Sequence, residues 1–289
     1  MRPDDESAAA VRDAFSLLGH EIRLEILLAL LEDWHAVYTE PRSYAELMDA
    51  VGMRDSGKFN YHLDKLRGVY VREVEDGYVP TAAVTALYRA VLAHRPAEGA
   101  AGRTPSEPSP IDSECPQCGA GAVLRYERGF VTVACPDCEA WPGFTYPFPT
   151  NGFAGRSADA VARETARRAR FHVGLARTGQ CPFCAGTTTV DPRLESEAGD
   201  DIVEITCDTC TFLVGVDPLS ALLRDGRVAA ALTDVGIDLE RPDWELPAPT
   251  TRVESRDPAR FALAVEGDAG TATIVVDDSL AVSSVDIDR

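Results

Sequence analysis

Apolar residues between residues 6 and 95 recur at helical spacing, with one short interval of alternation. The first helical face consists of Ile22, Ile26, Leu27 and Leu30. Further along, Ser43 and Glu46 form a capping-box pattern, which predicts a short helix over residues 44–50. Gly52 suits the end of that helix. The pattern therefore predicts two consecutive helices in this part of the chain.

A third helix is predicted from Asp55 or Ser56, either of which can cap it, to Arg67. Its inward stripe at i, i+4 and i+7 consists of Phe59, Leu63 and Leu66. Its opposite face carries Lys58, Asn60, Tyr61 and Lys65. Two short strands within residues 69–79 then flank Glu75-Asp76-Gly77, a turn that predicts a β-hairpin. Helices followed by such a hairpin are the parts of a winged helix-turn-helix.

All eight cysteines occur in Cys-x-x-Cys pairs. Sixteen residues separate the first two pairs and 22 residues separate the last two. This spacing is typical of zinc ribbons, and it predicts two zinc ions per chain, each with four thiolate ligands. The predicted ligands are Cys115, Cys118, Cys135 and Cys138 for one ion, and Cys181, Cys184, Cys207 and Cys210 for the other.

Four protein ligands leave no open position for catalysis, so we expect structural zinc. A sensing role for the metal remains open, as do disulfides, redox pairs or an iron–sulfur cluster at these cysteines. Between the two ribbons, residues 157–177 have helical periodicity, with alanines on one face and arginines on another. In one interpretation the arginines contact phosphate or an acidic partner. In the other, which we favour, they pair with nearby Asp and Glu side chains while the alanine face packs between the ribbons.

The remaining segments complete an α+β fold. Residues 94–110 are rich in Pro, Gly, Ala and Ser and predict a linker, and residues 220–232 predict a helix. Four runs after residue 250 predict a small antiparallel β tail. The predicted segments are a winged helix-turn-helix domain over 1–95, a linker over 96–112, ribbons over 113–150 and 179–217, a connecting helix over 151–178, a helical segment over 218–247 and a β domain over 248–289.

The chain is strongly acidic, with 47 Asp and Glu against 28 Lys and Arg and a net charge of −19. Such a lysine-poor composition resembles that of proteins from salt-in halophiles, in which molar salt screens self-repulsion. No apolar run reaches the roughly 18 residues of a membrane span, and the N-terminal sequence lacks the apolar segment of a secretory signal. We therefore expect a cytoplasmic protein without membrane association.

The only two lysines, Lys58 and Lys65, both lie on the predicted third helix. A helix in the major groove needs long, exposed donors that reach base edges and phosphates. Residues 54–67 carry four basic and two acidic side chains, a local charge of +2. This helix is therefore the candidate reader of double-stranded DNA, although the same charges also suit a solvated surface helix.

Residues 12–95 resemble the winged helix-turn-helix of the ArsR superfamily of prokaryotic repressors, in an archaeal form. The resemblance rests on four segments in order: His20-Glu-Ile-Arg-Leu-Glu-Ile-Leu, Ser43-Tyr-Ala-Glu-Leu, Phe59-Asn-Tyr-His-Leu-Asp-Lys-Leu and Gly77-Tyr-Val-Pro-Thr. It implies a transcription regulator whose base-reading positions are Ser56, Lys58, Asn60 and Tyr61. His62 either packs or touches DNA. Residues 43–52 lack the family's metal-sensing cysteines, so the resemblance does not extend to arsenic or cadmium sensing.

The resemblance also implies a homodimer formed by the first and last helices of the domain. The apolar residues available for it are Val11, Phe15, Leu18, Val84, Leu87, Tyr88 and Val91. They serve a dimer interface or close the domain's own core.

The sequence bears on three alternatives to a sequence-specific regulator. An enzyme is not expected, because the chain has no P-loop, HExxH or GxSxG motif. A basal transcription factor resembling archaeal TFIIE-α also joins a winged helix to a zinc ribbon. A third possibility is a module that binds other proteins, such as the transcription machinery or an effector protein, and not DNA. The two ribbons, the motif at His20 and the β tail favour a sequence-specific regulator.

Overall fold

The computed structural model describes residues 5–94, 104–105, 107–193 and 201–289, and over these it is a mixed α+β protein. The chain divides into two compact units, Met1–Arg95 and Pro96–Arg289. Residues 95–103 and 106, which belong to the predicted linker, lie outside the described residues. Within the described ranges, no helix has the length and apolar character needed to cross a membrane. The finer division into seven segments stays a prediction.

The first unit contains five α-helices and a hairpin over its described residues. Ser43 accepts a hydrogen bond from the Glu46 backbone N–H (3.3 Å), and the Glu46 carboxylate accepts one from the Ser43 N–H (2.8 Å), so the predicted capping box is present. Asp55 caps the next helix. The elements are α1 (Asp5–Leu17), α2 (Glu21–Leu31), α3 (Tyr44–Ala50), α4 (Ser56–Leu66), β1 (Val71–Val74), β2 (Gly77–Pro80) and α5 (Ala82–His94).

The predicted apolar stripe of α4 forms the centre of the first unit's core. Phe59, Leu63 and Leu66 are completely buried and pack against a cluster that includes Ile26 and Leu47. These side chains hold α4 against α2 and α3, which confirms the inward face predicted for this helix. The residues between them on α4 are therefore turned outward, except His62, which is also buried.

Gly77 allows the hairpin to lie against the segment before α3. Its φ is +143°, and a Cβ at this position would lie 2.4 Å from the carbonyl oxygen of Arg42. Arg42 and Tyr78 exchange backbone hydrogen bonds of 3.1 and 2.8 Å. A side chain at residue 77 would separate the hairpin from this segment, so the glycine of the predicted turn has a packing role as well.

The second unit is built from three antiparallel sheets and three α-helices over its described residues. The strands of each sheet are neighbours in the order in which they occur along the chain. The first sheet contains β3 (Ser109–Glu114), β4 (Gly121–Glu127), β5 (Phe130–Ala134) and β6 (Phe144–Pro147). Next come α6 (Ala158–Arg177), then a sheet of β7 (Thr188–Arg193), β8 (Ile202–Cys207) and β9 (Leu213–Val216). The remaining elements are α7 (Pro218–Leu222), α8 (Gly226–Asp234), β10 (Thr250–Arg256), β11 (Ala259–Gly267), β12 (Gly270–Asp277) and β13 (Val282–Asp288).

Helix α6 belongs to two hydrophobic cores. Near its start, Val161 and Ala162 pack with the first sheet. Near its end, Val173 and Ala176 pack in a cluster that includes residues of β8, α7, α8 and the last sheet. The alanine-rich face predicted for this helix therefore does pack inward.

The prediction of one helix over residues 220–232 is wrong, because two helices occupy this stretch. Asp217 caps α7, and Pro218 stands at its first position. The Asp225 carboxylate then accepts a hydrogen bond from the Arg227 N–H (3.0 Å) and caps α8. A second capping residue satisfies the free N–H groups of a new helix start, and so divides one apolar periodicity into two helices.

Two further boundaries differ from the sequence interpretation. Strand β3 begins at Ser109, inside the stretch assigned to the linker, since it pairs with β4 through Ser109 and Leu124. The four-stranded tail is present, but it shares one core with α7 and α8, in which Leu263 and Ile274 pack with residues that include Leu232. Its buried face is covered by helices from earlier in the chain.

Candidate metal centres and candidate nucleic-acid interface

Each half of the cysteine repeat brings four sulfur atoms together. The first cluster consists of Cys115, Cys118, Cys135 and Cys138, and the second cluster of Cys181, Cys184, Cys207 and Cys210. Within each cluster, all ligand atoms lie within 4.8 Å of one another. Four bonds of about 2.3 Å to a tetrahedral zinc ion would place sulfurs about 3.8 Å apart. Both clusters therefore have the dimensions of a site for one metal ion.

In the first cluster, close sulfur pairs cross between the two Cys-x-x-Cys turns. Cys115 Sγ lies 3.7 Å from Cys138 Sγ, and Cys118 Sγ lies 3.5 Å from Cys135 Sγ. Cys115 directly follows β3, and Cys135 directly follows β5. Two strands of one sheet thus place both Cys-x-x-Cys turns at the same end of that sheet.

The second cluster repeats this geometry. Cys181 Sγ lies 3.6 Å from Cys210 Sγ, and Cys184 Sγ lies 3.5 Å from Cys207 Sγ. Cys207 is the last residue of β8. The internal repeat suggested by the cysteine spacing therefore extends to the three-dimensional arrangement of the thiols.

The turns after the first Cys-x-x-Cys of each cluster also correspond. Gly119 has a φ of +72°, and Ala185 takes the equivalent position with a φ of +60°. Each donates its backbone N–H to the carbonyl oxygen of the first cysteine in its turn, at 2.9 Å for Cys115 and 3.0 Å for Cys181. The left-handed residue closes the turn so that both thiols face the same point. Alanine accepts this strained conformation in the second cluster, where glycine serves in the first.

Backbone N–H groups point at several of the sulfurs. The N–H groups of Cys210 and Thr209 donate to Cys207 Sγ at 3.4 and 3.3 Å. The donor from Cys210 has the largest effect and, with that from Thr209, lowers the pKa of the Cys207 thiol to about 7. The thiolate is the form that binds metal, so these donors favour metal coordination.

The structure places all five predicted DNA-contacting residues on the exposed surface of α4. They are Ser56, Lys58, Asn60, Tyr61 and Lys65. The Tyr61 side chain is 59% exposed, and the Lys65 Nζ lies 5.7 Å from its ring centroid. An ammonium over an aromatic ring is held in place without losing its charge. The outward surface of α4 therefore offers donors and an aromatic ring at neighbouring positions.

His62 differs from its neighbours on α4 because it is only 5% exposed. It packs against His20, so the structure supports a packing role for His62.

The apolar residues proposed for a dimer interface fall into a buried and an exposed group. Val84 is buried in the core, whereas Val11, Phe15 and Val91 are more than half exposed.

A polar network that the sequence analysis did not identify joins α4 to the hairpin. Asn60 Nδ2 donates to the Asp64 carboxylate at 3.0 Å, and Arg67 Nη1 donates to the same carboxylate at 3.0 Å. Arg67 also forms an ion pair with Glu73 of β1. Only the i, i+4 and i, i+3 spacings of these residues hinted at the contacts on α4. Arg67, one of the four basic residues in the local charge of +2, thus pairs with Asp64 and also with Glu73, a carboxylate outside residues 54–67.

Three of the five arginines of α6 pair with carboxylates. Arg170 Nε donates to Asp243 at 2.9 Å, and Arg177 Nη2 lies 3.3 Å from Asp225. Burial raises the pKa of Asp243, although the charge of Arg170 opposes that effect. Arg167 likewise pairs with Glu164 at 3.3 Å. These contacts support intramolecular pairing over a nucleic-acid contact for this helix.

These features define an α+β protein with two four-cysteine clusters that could each hold a metal ion, joined by one helix. Residues 112–282 match the family described as "Domain of unknown function (DUF7351)", and residues 11–91 match "Domain of unknown function (DUF7347)". Because the first match covers more than half of the chain, the protein belongs to the DUF7351 family. No curated protein and no solved structure matches the chain.

Proposed function

We propose that this protein is a sequence-specific DNA-binding transcription regulator, in which the first unit is a winged helix-turn-helix of the ArsR-like kind. Helix α3, the turn at Gly52, helix α4 and the hairpin β1–β2 follow one another as such a domain requires. The observation that carries the proposal is the surface of α4. It presents Lys58, Asn60, Tyr61 and Lys65 to solvent, while its apolar residues are buried.

Charge supports α4 as the surface that meets DNA. Asp and Glu exceed Lys and Arg by 19 over the whole chain, so most of the protein surface repels a duplex. Both lysines nevertheless lie on α4, and Arg54 is exposed just before it. Side chains of this length reach the base edges and phosphates of the major groove when a helix is inserted there. A local basic surface on an acidic protein would also restrict DNA to one orientation.

We further propose that both clusters bind zinc. Sulfur-only, four-coordinate sites close to tetrahedral geometry suit zinc, and short strands and turns around such an ion gain folding stability from it. With all four positions filled by the protein, the ion has no room for a substrate or water. The proposed role is therefore structural, which agrees with a regulator that is not an enzyme.

The proposed DNA-binding form is a homodimer through α1 and α5. Val11 and Phe15 of α1 are 51% and 61% exposed, and Val91 of α5 is 56% exposed. Apolar side chains with this exposure on two helices lose contact with water when a second copy covers them. Sedimentation of wild type and of a Phe15→Glu variant tests this role. A wild-type monomer at all concentrations would exclude it.

The deciding experiment for the function is DNA occupancy across the genome of the native cell, followed by selection from random duplexes with the purified chain. A regulator gives discrete peaks that share one motif, and the selected sequences contain the same motif. Binding to all promoters without a motif would favour the basal transcription factor. Absence of DNA binding in both assays would favour a module that binds proteins.

A further inference from the structure

We propose that Asp64 is a positioning residue that orients the Asn60 side-chain amide to recognise adenine. This inference rests on the proposed function, because it concerns what α4 reads in DNA. Asn60 Nδ2 donates to Asp64 at 3.0 Å, and both residues lie on the exposed surface of α4. The contact directs the amide nitrogen of Asn60 toward Asp64 and the amide oxygen away from it.

The orientation follows from the chemistry of the two groups. An ionised carboxylate only accepts hydrogen bonds, so the amide nitrogen must face Asp64, and the reversed amide would place two acceptor oxygens together. With one Nδ2 hydrogen committed to Asp64, Asn60 retains one donor hydrogen and the Oδ1 acceptor. When Asp64 takes the Nδ2 hydrogen on the Cβ side of the amide, the remaining hydrogen and Oδ1 lie side by side on the outer edge of the amide.

A neighbouring donor and acceptor match one purine edge in the major groove. Adenine presents an acceptor at N7 and a donor at the N6 amino group, whereas guanine presents acceptors at both N7 and O6. An unrestrained asparagine can turn both amino hydrogens toward guanine. Asn60, restrained by Asp64, keeps only one of them free and places its oxygen where guanine offers a second acceptor. The contact therefore selects adenine over guanine.

Asp64 is itself held in place from the hairpin. Arg67 donates to its carboxylate at 3.0 Å and pairs with Glu73 on β1. An acidic side chain on a surface that approaches phosphates weakens binding, and Arg67 compensates the charge of Asp64 only in part, because it also pairs with Glu73. The contacts that run from Glu73 through Arg67 and Asp64 to Asn60 explain why the acidic Asp64 lies on this basic surface. It also makes the hairpin part of base recognition without requiring it to touch a base.

The test measures discrimination as well as affinity, with the metal-loaded full chain and the duplex obtained by selection. Each base pair of that duplex is replaced in turn. We expect one adenine position whose replacement by guanine weakens wild-type binding by about 10-fold or more. In Asn60→Ala and in Asp64→Ala, this preference falls to a few-fold or less, and the preferences at other positions are retained.

Two controls separate positioning from charge and folding. Asp49→Ala removes an exposed carboxylate from α3, so it should raise general affinity for DNA as Asp64→Ala does, but it should leave the adenine preference unchanged. Asp64→Asn keeps an acceptor for Asn60 and should restore most of the preference. Full discrimination in Asp64→Ala, or its equal loss in Asp49→Ala, would overturn the proposal.

A second measurement does not depend on DNA. In the ¹⁵N-labelled full chain, one of the two Asn60 amide hydrogens should exchange more slowly with water than the other, and this difference should vanish in Asp64→Ala. Identical exchange in wild type and variant would refute the positioning of Asn60 even if the chain binds DNA. Slow exchange together with no selected motif would instead retain the contact and refute the proposed function.

Discussion

The imidazole rings of His20 and His62 lie with their centroids 4.2 Å apart, where the start of α2 meets α4. His20 Nδ1 accepts a hydrogen bond from the Ile22 N–H at 3.2 Å, so His20 also caps α2. His62 Nδ1 is buried and has no hydrogen-bond partner among the described residues. A neutral His62 ring fits this arrangement, because a charged one would lie buried beside His20 and Arg23.

We predict that mild acid weakens the packing of α4 against the start of α2. Burial, together with the nearby charges of His20, Arg23 and Lys58, lowers the pKa of His62 below its usual 6.5. The unfolded chain then binds the proton more readily than the folded chain, so stability is complete above pH 6.5 and falls as the pH drops toward the folded pKa. Hydrogen exchange of α4 amides at about pH 7.5 and pH 5.5 measures the effect.

In His62→Phe the part of the acid sensitivity that comes from this residue should disappear, since phenylalanine cannot take up a proton. An NMR titration of His62 in the native chain provides a direct check. A pKa at or above 6.5 would show that the ring is not held in its neutral form.

Metal analysis should find two zinc ions per chain, one in each cluster. Cys115→Ser and Cys181→Ser should each lower the content by one ion, because each removes one of four ligands from a different site. The two variants serve as controls for each other. Iron, or no metal in protein prepared anaerobically without chelators, would contradict zinc ribbons.

Loss of either Lys58 or Asn60 should weaken specific DNA binding by about 1–3 kcal/mol without affecting the fold. Both side chains are exposed, so Lys58→Ala and Asn60→Ala should melt at the wild-type temperature. Arg125→Ala removes a charge that is also exposed, from β4 in the second unit, and should bind DNA normally. If neither α4 variant loses affinity for the selected duplex, α4 does not enter the major groove.

The two aromatic residues of α4 should have opposite effects. Phe59 is completely buried, and its ring centroid lies 5.0 Å from that of Tyr44, so Phe59→Ala should destabilise the first unit by about 3–5 kcal/mol. Tyr61 is exposed, so Tyr61→Ala should leave stability almost unchanged and weaken DNA binding. Thermal unfolding and DNA titration of the two variants provide the comparison. A large loss of stability in Tyr61→Ala would place this ring in a packing role.

Specific binding should persist at molar KCl. Ordinary DNA binders lose affinity steeply with salt, because each phosphate contact releases counterions. Here the net charge of −19 repels DNA at low salt, and screening removes that repulsion together with the attraction of the few basic residues. A titration from about 0.2 to 2 M KCl should show a shallow or non-monotonic dependence. A steep, continuous loss with no specific complex at high salt would refute this interpretation of the charge.

Local signals in the sequence predicted α3, α4 and the hairpin of the first unit, and the two groups of four cysteines. The capping box at Ser43, the cap at Asp55, the period of Phe59 and Leu63, and the paired cysteines each act within a few residues along the chain. The break between α7 and α8 was missed because the apolar period continues across it, and only Asp225 marks the new start.

Contacts between residues that are far apart along the chain could not be predicted from the sequence. Trp244 Nε1 donates to Ser113 Oγ at 2.9 Å across 131 positions, and Arg177 donates to the Leu280 carbonyl at 2.8 Å across 103. Nothing in the local pattern distinguishes these residues from solvated ones. For the same reason the β tail looked independent, although its buried face needs α8 to cover it.

Helix α6 carries a rotational constraint, because its two ends are packed into different cores. One residue inserted after Arg168 would turn everything that follows on the helix by about 100° and move it about 1.5 Å along the axis. Val173 and Ala176 would then leave their core, and Arg177 would lose Asp225. The rotation of α6 about its axis therefore affects the packing beside both cysteine clusters. An insertion or deletion in α6 keeps both cores only when it adds or removes close to a whole number of helical turns.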